Sequence, residues 1–183
     1  MILLTTSRRP TERIRTLCRE LAHVIPNAVR VNRGKLSLDG VAERALEFGA
    51  DHVIIIDRWK GGPGEIQFFH AGSGGLVPVP PTLYVSGVRL QREFKTRVRK
   101  IRPLTLTASS EGSSQTGKLV EALSNFLEVS KSTEERVPSA DRASMHISSD
   151  ASGSMQITFR LLPEGMEVGP RITLSHLVWE IQR

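Results

Sequence analysis

The sequence predicts an α/β fold, and three observations carry that expectation. His52-Val53-Ile54-Ile55-Ile56-Asp57 is an unbroken, mostly β-branched run, the pattern of a strand buried on both faces. A strand, a Thr/Ser turn and an amphipathic helix occur in that order twice, once from Ile2 and again from Leu104. The chain then closes in strand-like alternation around 143–149, 155–162 and 171–182, with Glu164-Gly165 as the last turn.

Taken in order, Ile2-Leu3-Leu4-Thr5 reads as a buried strand. Pro10 or Thr11 opens a helix, the one suited to a first turn and the other to a cap. Ile14, Leu17, Cys18, Leu21 and Ile25 follow helical spacing, with Arg13, Arg15 and Arg19 on other faces, and Pro26-Asn27 ends the helix. Ala28–Val31 makes a short strand. Asp39 is expected to cap a second helix, ended by Gly49. After the 52–57 strand, Gly61–Gly64 reads as a turn. Glu65–Ala71 and Thr82–Val88 read as strands separated by the Gly/Pro-rich stretch 72–81. Leu90, Phe94, Val98 and Ile101 recur at helical spacing, which predicts a short basic helix. Leu104–Ser109 repeats the opening strand. A helix follows with Leu119, Val120, Leu123, Phe126 and Leu127 on its apolar side, and the polar segment 130–142 reads as a mobile linker.

With 183 residues the chain fits one domain, 1–183, divided at the repeat into an N-terminal half 1–102 and a C-terminal half 103–183. Aromatics are only 5%, so the core must be built from Leu, Val, Ile and Ala. The net charge is +6, and it is concentrated in two places. Residues 1–35 carry eight cations against two acids, and residues 89–102 carry seven against Glu93, so the remainder of the chain is net acidic. Two basic segments on an otherwise acidic chain point to a polyanionic partner, because phosphate contacts that release counterions drive such binding.

A single cysteine excludes an internal disulfide. The start is too short for a signal-peptide core, and no apolar run approaches the ~18 residues of a membrane span, so a cytoplasmic protein is expected. The five histidines and Cys18 lack metal-ligand spacing, and no carboxylate pair or Ser/His/Asp arrangement stands out, so neither a cofactor nor a catalytic centre is expected. Gly112-Ser113-Ser114-Gln115-Thr116-Gly117-Lys118 matches a phosphate-binding loop through its lysine. Leu119 stands where that loop needs a hydroxyl for Mg²⁺, and the simpler reading is a Ser/Gly turn with a helix cap. A nucleotide-dependent enzyme using Lys118 is therefore the competing reading. Arg30-Val31-Asn32-Arg33-Gly34-Lys35 presents three cations and an Asn on a tight bend, able to grip phosphates and read a base edge.

Five segments occur together in order: Leu4-Thr5-Thr6-Ser7-Arg8-Arg9-Pro10-Thr11, Arg30–Gly34, Asp51–Ile56, Pro80-Pro81-Thr82-Leu83-Tyr84, and Glu167-Val168-Gly169-Pro170-Arg171-Ile172-Thr173-Leu174. This set resembles the Brix domain family of ribosome-biogenesis proteins, in the short single-domain form found in archaea. Pro80 departs from the glycine expected before Pro-Thr. The resemblance covers essentially the whole chain. It implies mixed sheets with flanking helices in two similar halves, each like the anticodon-binding domain of class IIa aminoacyl-tRNA synthetases. It also implies a non-catalytic role in ribosomal RNA binding, pre-rRNA processing and assembly, with ribosomal or assembly proteins as further partners. A tRNA anticodon-binding accessory protein is a third reading. The expected RNA-binding residues are Arg8, Arg9, Arg13, Arg30, Asn32, Arg33 and Lys35 on one surface. Arg89, Arg92, Lys95, Arg97, Arg99, Lys100 and Arg102 make a second, and Arg171 is carried over from the family motif.

Overall fold

A computed structural model describes residues 1–59, 62–94, 104–109, 113–132, 142–150, 152–162 and 164–180. The chain packs as two compact units. The first holds Met1–Ala22, Asn27–Val85 and His176–Arg183, and the second holds His23–Pro26 and Ser86–Ser175.

In the first unit, β1 (Ile2–Thr6) lies between β2 (Ala28–Arg30) and β3 (His52–Trp59), parallel to both. β3 then pairs antiparallel with β4 (Gly62–Gly72), and β4 with β5 (Gly75–Arg89). The helix α1 (Glu12–Val24) connects β1 to β2, and α2 (Leu38–Glu47) connects β2 to β3. Because the chain moves to one side of β1 and then back across it, right-handed crossovers put the two helices on opposite faces. Leu3, Val53, Ile55 and Phe69 pack with Val41 and Ala45 of α2. Leu4, Ile54 and Ile56, the alternate residues, are buried on the other face, where the crossover rule places the buried stripe Ile14, Leu17, Cys18 and Leu21 of α1. Both faces of β3 are thus covered, which is what its continuous apolar run requires. Thr11 starts α1 by accepting from the Ile14 amide at 3.3 Å.

Cys18 is fully buried on that stripe, and burial pushes its thiol up to about 12, more than the nearby Arg30 lowers it. At pH 8 the thiol is neutral and shielded. A thiol-specific reagent should therefore leave the folded protein unmodified and label one site per chain only in denaturant, as read by mass spectrometry.

In the second unit, β6 (Leu104–Ala108) lies parallel to both β7 (Lys131–Ser132) and β8 (Arg142–Ser149). β8 pairs antiparallel with β9 (Met155–Leu162). β9 in turn pairs with β10 (Met166–Glu167) and with β11 (Arg171–Val178). The helix α3 (Ser114–Leu127) packs on β6 and β8 through Leu119, Val120, Leu123, Phe126 and Leu127. Its buried Ser124 donates to the Val129 carbonyl at 2.6 Å. The expected polar segment 130–142 contributes β7 and the first residue of β8, and 133–141 lie outside the described residues. His146 is a packed residue, with Nδ1 3.1 Å from the Thr107 hydroxyl.

Several local expectations need correction. The cap of α2 is Ser37, whose hydroxyl accepts from the Gly40 amide at 3.0 Å, and Asp39 sits inside the first turn. The stretch 72–81 is mostly strand rather than loop: only Ser73 and Gly74 turn between β4 and β5, and Leu76 to Val79 pair with Ala71 to Phe68. Between Ile66↔Leu83 and Phe68↔Val79, β5 sets Pro80, Pro81 and Thr82 against the single Gln67 of β4, two residues more. The prolines thus occupy a bulge where ladder N–H groups are not required. The Pro80–Pro81 bond is cis. Of the expected 61–64 turn, Gly62 to Gly64 belong to β4, where Gly62 and Pro63 pair with Trp59 and Arg58, and Gly61 lies outside the described residues. Residues 90–94 are no α-helix. Gln91–Glu93 form one 3₁₀ turn, the Glu93 carboxylate accepts from the Leu90 amide at 2.6 Å, and Phe94 is extended. The last strand stops at Val178. Among the described residues no helix is long and apolar enough to cross a membrane.

Candidate nucleic-acid interface

The three parallel strands of the first unit end at one place. Since the chain leaves β1 toward β2 and returns across it to β3, the carboxyl ends of β1 and β3 form a switch point, where open α/β sheets leave a crevice. Ser7, Arg8 and Arg9 follow β1, Asp57 and Arg58 lie at the end of β3, and Arg33 follows β2; these six residues line a recess there. The Ser7 amide donates to the Ile56 carbonyl at 3.0 Å, holding the end of β1 along β3.

Arg33 is only 8% exposed, although the sequence predicts a surface cation. Gly34, with φ +55°, lets the chain fold back so that the Leu36 amide reaches the Arg33 carbonyl at 3.0 Å. The Leu36 carbonyl accepts from Arg33 Nε at 3.1 Å and from Arg8 Nε at 3.3 Å, which brings two guanidinium groups to one oxygen. Burial lowers the Arg33 pKa, and the charge of Arg8 lowers it further, while Asp57 opposes both. Arg33 stays charged at any ordinary pH, so the strain is electrostatic: like charges crowd a partly dry place. Asp57 is the one carboxylate of the recess, and its oxygen accepts from the Arg58 amide at 2.5 Å.

The other expected residues of this surface are dispersed around it. Arg30 Nη2 donates to Asn32 Oδ1 at 2.6 Å, which occupies the Asn32 carbonyl and leaves its amide group to donate. Arg13 is on an exposed face of α1, and Lys35 is exposed in the loop before α2. Sequence reasoning missed Ser7 and Arg58, although both sit directly beyond runs that predict parallel strands, and that adjacency was the available signal.

In the second unit the described part of the other basic segment gathers on Phe94. The Arg89 guanidinium lies 4.3 Å from the ring centroid and Arg171 5.7 Å from it. Arg89 also donates to the Glu93 carbonyl at 3.0 Å. Arg171 is held in a two-pronged pair with Glu167, whose carboxylate raises the Arg171 pKa. Arg92 is exposed on the 3₁₀ turn. Lys95, Arg97, Arg99, Lys100 and Arg102 lie outside the described residues.

The Lys118 motif does not form a phosphate-binding loop among the described residues. Ser113 caps α3, accepting from the Thr116 amide at 3.3 Å, and Ser114 to Lys118 are already helical, with Lys118 exposed. A loop that cradles phosphate needs those amides turned toward the ligand, and here the helix has begun.

No protein-family model matches the chain. A probable Brix domain-containing ribosomal biogenesis protein from Methanopyrus kandleri is 37% identical over 131 residues, which is 69% of this chain and 66% of the relative. A protein of the same description from Pyrococcus horikoshii is 36% identical over 115 residues, 60% of this chain and 50% of the relative. The crystal structure of a probable ribosomal biogenesis protein from Aeropyrum pernix matches with a TM-score of 0.76 at 27% identity, over 97% of this chain and 98% of that one. The chain belongs to the Brix domain family. The alignment spans about half the length of the Pyrococcus relative. An archaeal Imp4-like protein shares the fold, with a TM-score of 0.65 at 22% identity over 97% of this chain and 99% of that one. In this Brix-domain chain the segment Leu4–Thr11 and the Arg30–Gly34 turn both lead into the recess. The Glu167–Leu174 segment instead carries a packing constraint, Gly169 against Phe159.

Proposed function

We propose that this Brix-domain chain acts in ribosome biogenesis as a non-catalytic ribosomal RNA-binding protein of the cytoplasm, holding pre-rRNA through phosphate and shape contacts while it is processed and assembled with ribosomal or assembly proteins. The observation that carries the reading is the convergence of Arg8, Arg9, Arg33 and Arg58 at the ends of parallel strands, opposed there by Asp57 alone. Charge placed at strand ends on a rigid sheet fixes where phosphates sit, whereas the same charge on a solvated helix face would not. The relatives' shared description as ribosomal biogenesis proteins supplies the biological setting.

The second basic surface, Arg89 to Arg102, is the other hand of this grip. The two halves, 1–102 and 103–183, descend in this reading from one anticodon-binding-like unit. The repeated pairing order supports it: a central strand parallel to two neighbours, the second of which continues into an antiparallel run.

Two charge-reversal variants test the reading. Arg8→Glu with Arg9→Glu should weaken binding to a ribosomal RNA fragment by about tenfold or more, since each lost phosphate contact is charge-assisted. The melting temperature should move by only about 1–2 °C, because both side chains are exposed. Reversal at Arg97, Arg99 and Lys100 should do the same. Unchanged binding in either variant removes that surface from the assignment. Competition with tRNA separates this reading from an anticodon-binding accessory protein, for which tRNA would displace the ribosomal fragment.

A further inference from the structure

Among the described residues, the Ser7 hydroxyl is the one buried side-chain polar atom without a hydrogen-bond partner. Ser7 is 9% exposed and lines the same recess as Arg33, itself 8% exposed. A buried donor left unpaired is unfavourable, and native folds retain such a group where a ligand or a function answers it. The guanidinium groups tell the same story from the charge side. Four arginines line the recess with one aspartate, two of their guanidinium groups converge on a single carbonyl oxygen, and the most buried is disfavoured by both burial and its neighbour. An anion entering here would relieve the crowding of like charges, and a turn of Ser7 about χ1 would bring its buried hydroxyl to the anion as a donor.

We infer that the switch-point recess of the first unit is a seat for a single phosphate group, with Ser7 and Arg33 as its floor and Arg8, Arg9 and Arg58 as its rim. The seat deepens the RNA-binding reading and rests on it for the source of the phosphate, though not for the existence of the seat. Five donors around a tetrahedral anion match a phosphate better than a carboxylate, which offers two oxygens in one plane. In RNA the group is either an internal diester carrying one charge or a terminal monoester approaching two. Asp57 sets a limit on the charge of the seat without filling it, because its oxygen is engaged by the Arg58 amide.

The test uses the full chain and inorganic phosphate as the probe, at constant ionic strength against chloride. In an NMR titration the seat predicts saturable shifts at the Arg33 Nε–H and at the Ser7, Arg8 and Arg58 amides, with exposed cations elsewhere, such as Arg92, unmoved. Ser7→Ala should weaken phosphate about five- to tenfold while the melting temperature holds or rises, because the removed hydroxyl had no partner to lose. Arg58→Gln, exposed in the free protein, serves as the second variant and should weaken phosphate by a similar factor. Linear shifts spread over all lysines and arginines, or a Ser7→Ala protein that binds phosphate unchanged, would overturn the seat. RNA oligonucleotides ending in 5′-phosphate, 3′-phosphate or hydroxyl then identify the source. A preference of about tenfold for one phosphorylated end assigns a terminal monoester, and equal displacement of phosphate by all three assigns an internal diester. Phosphate that saturates the seat but yields to none of the RNAs leaves the seat standing and refutes the RNA-binding reading.

Discussion

The affinity of this chain for a ribosomal RNA fragment should fall about a thousandfold or more as salt rises from 50 to 200 mM. The expectation follows from how the contacts are made. If six to eight phosphates are neutralised, the logarithm of the binding constant falls with the logarithm of salt with a slope of roughly −0.7 to −0.9 per contact. Little in the structure dilutes that slope. Base stacking is the main source of salt-insensitive affinity for unpaired RNA, and aromatics are only 5% of the chain. Two of the rings that a base would use already have partners: Tyr84 stacks on His176 at 4.3 Å, and Phe94 has the Arg89 guanidinium over it. Fluorescence anisotropy of a labelled fragment across that salt range measures the slope. Arg9→Gln should also flatten it by about one contact's worth, 0.7 to 0.9, while a contact made to a base edge would shift affinity and leave the slope alone. A wild-type slope near zero would mean the clustered arginines do not meet phosphates, and the proposed mechanism would fall with it.

Which parts of this fold could be read from the residues depends on where their stabilisation comes from. β3 was legible because burial on both faces leaves a one-dimensional mark, a continuous apolar run. α1 and α3 were legible for the same reason at helical period, and Thr11 and Ser113 stand where caps belong. The proline stretch of β5 was not legible, because what licenses prolines in a strand is a bulge opposite β4, and that is a property of the pair. The short basic helix failed at its start for a local reason. Glu93 turns back to cap the Leu90 amide and Arg89 folds over Phe94, and these contacts outcompete a helical period read from only four apolar residues. The recess was half legible. The arginines announced themselves by charge, but the same charge count says nothing of Arg33 being buried. Ser7 matters only because the chain order β2-β1-β3 brings three strand ends together.

Replacing Gly169 by alanine should destabilise the protein by about 2–3 kcal/mol, the upper range for forcing an extra methyl into a packed core. A β-carbon there would lie 2.7 Å from Phe159 Cβ, 3.0 Å from its Cγ and 3.1 Å from its Cδ2. The nearest of these atoms is the root of the side chain, so no rotamer change of Phe159 relieves the clash and the backbone itself must move. It is poorly free to do so. The Val168 amide donates to the Phe159 carbonyl at 2.8 Å, Glu167 pairs with Arg160, and Pro170 fixes the dihedral that follows. Phe159 cannot yield outward either, being fully buried at the centre of the second unit. For a chain of this length the change corresponds to a fall in melting temperature of about 5–10 °C. Gly117→Ala is the matched comparison: that glycine lies in α3 with nothing within 4 Å of the added carbon, so its replacement should raise stability by about 0.5–1 kcal/mol. Opposite signs for the same chemical change would show that Gly169 is required by close packing against Phe159. Equal, small effects would mean that the segment between β10 and β11 gives way more easily than its pairing suggests, and that the glycine of the Gly169-Pro170-Arg171 motif must be explained by something other than space.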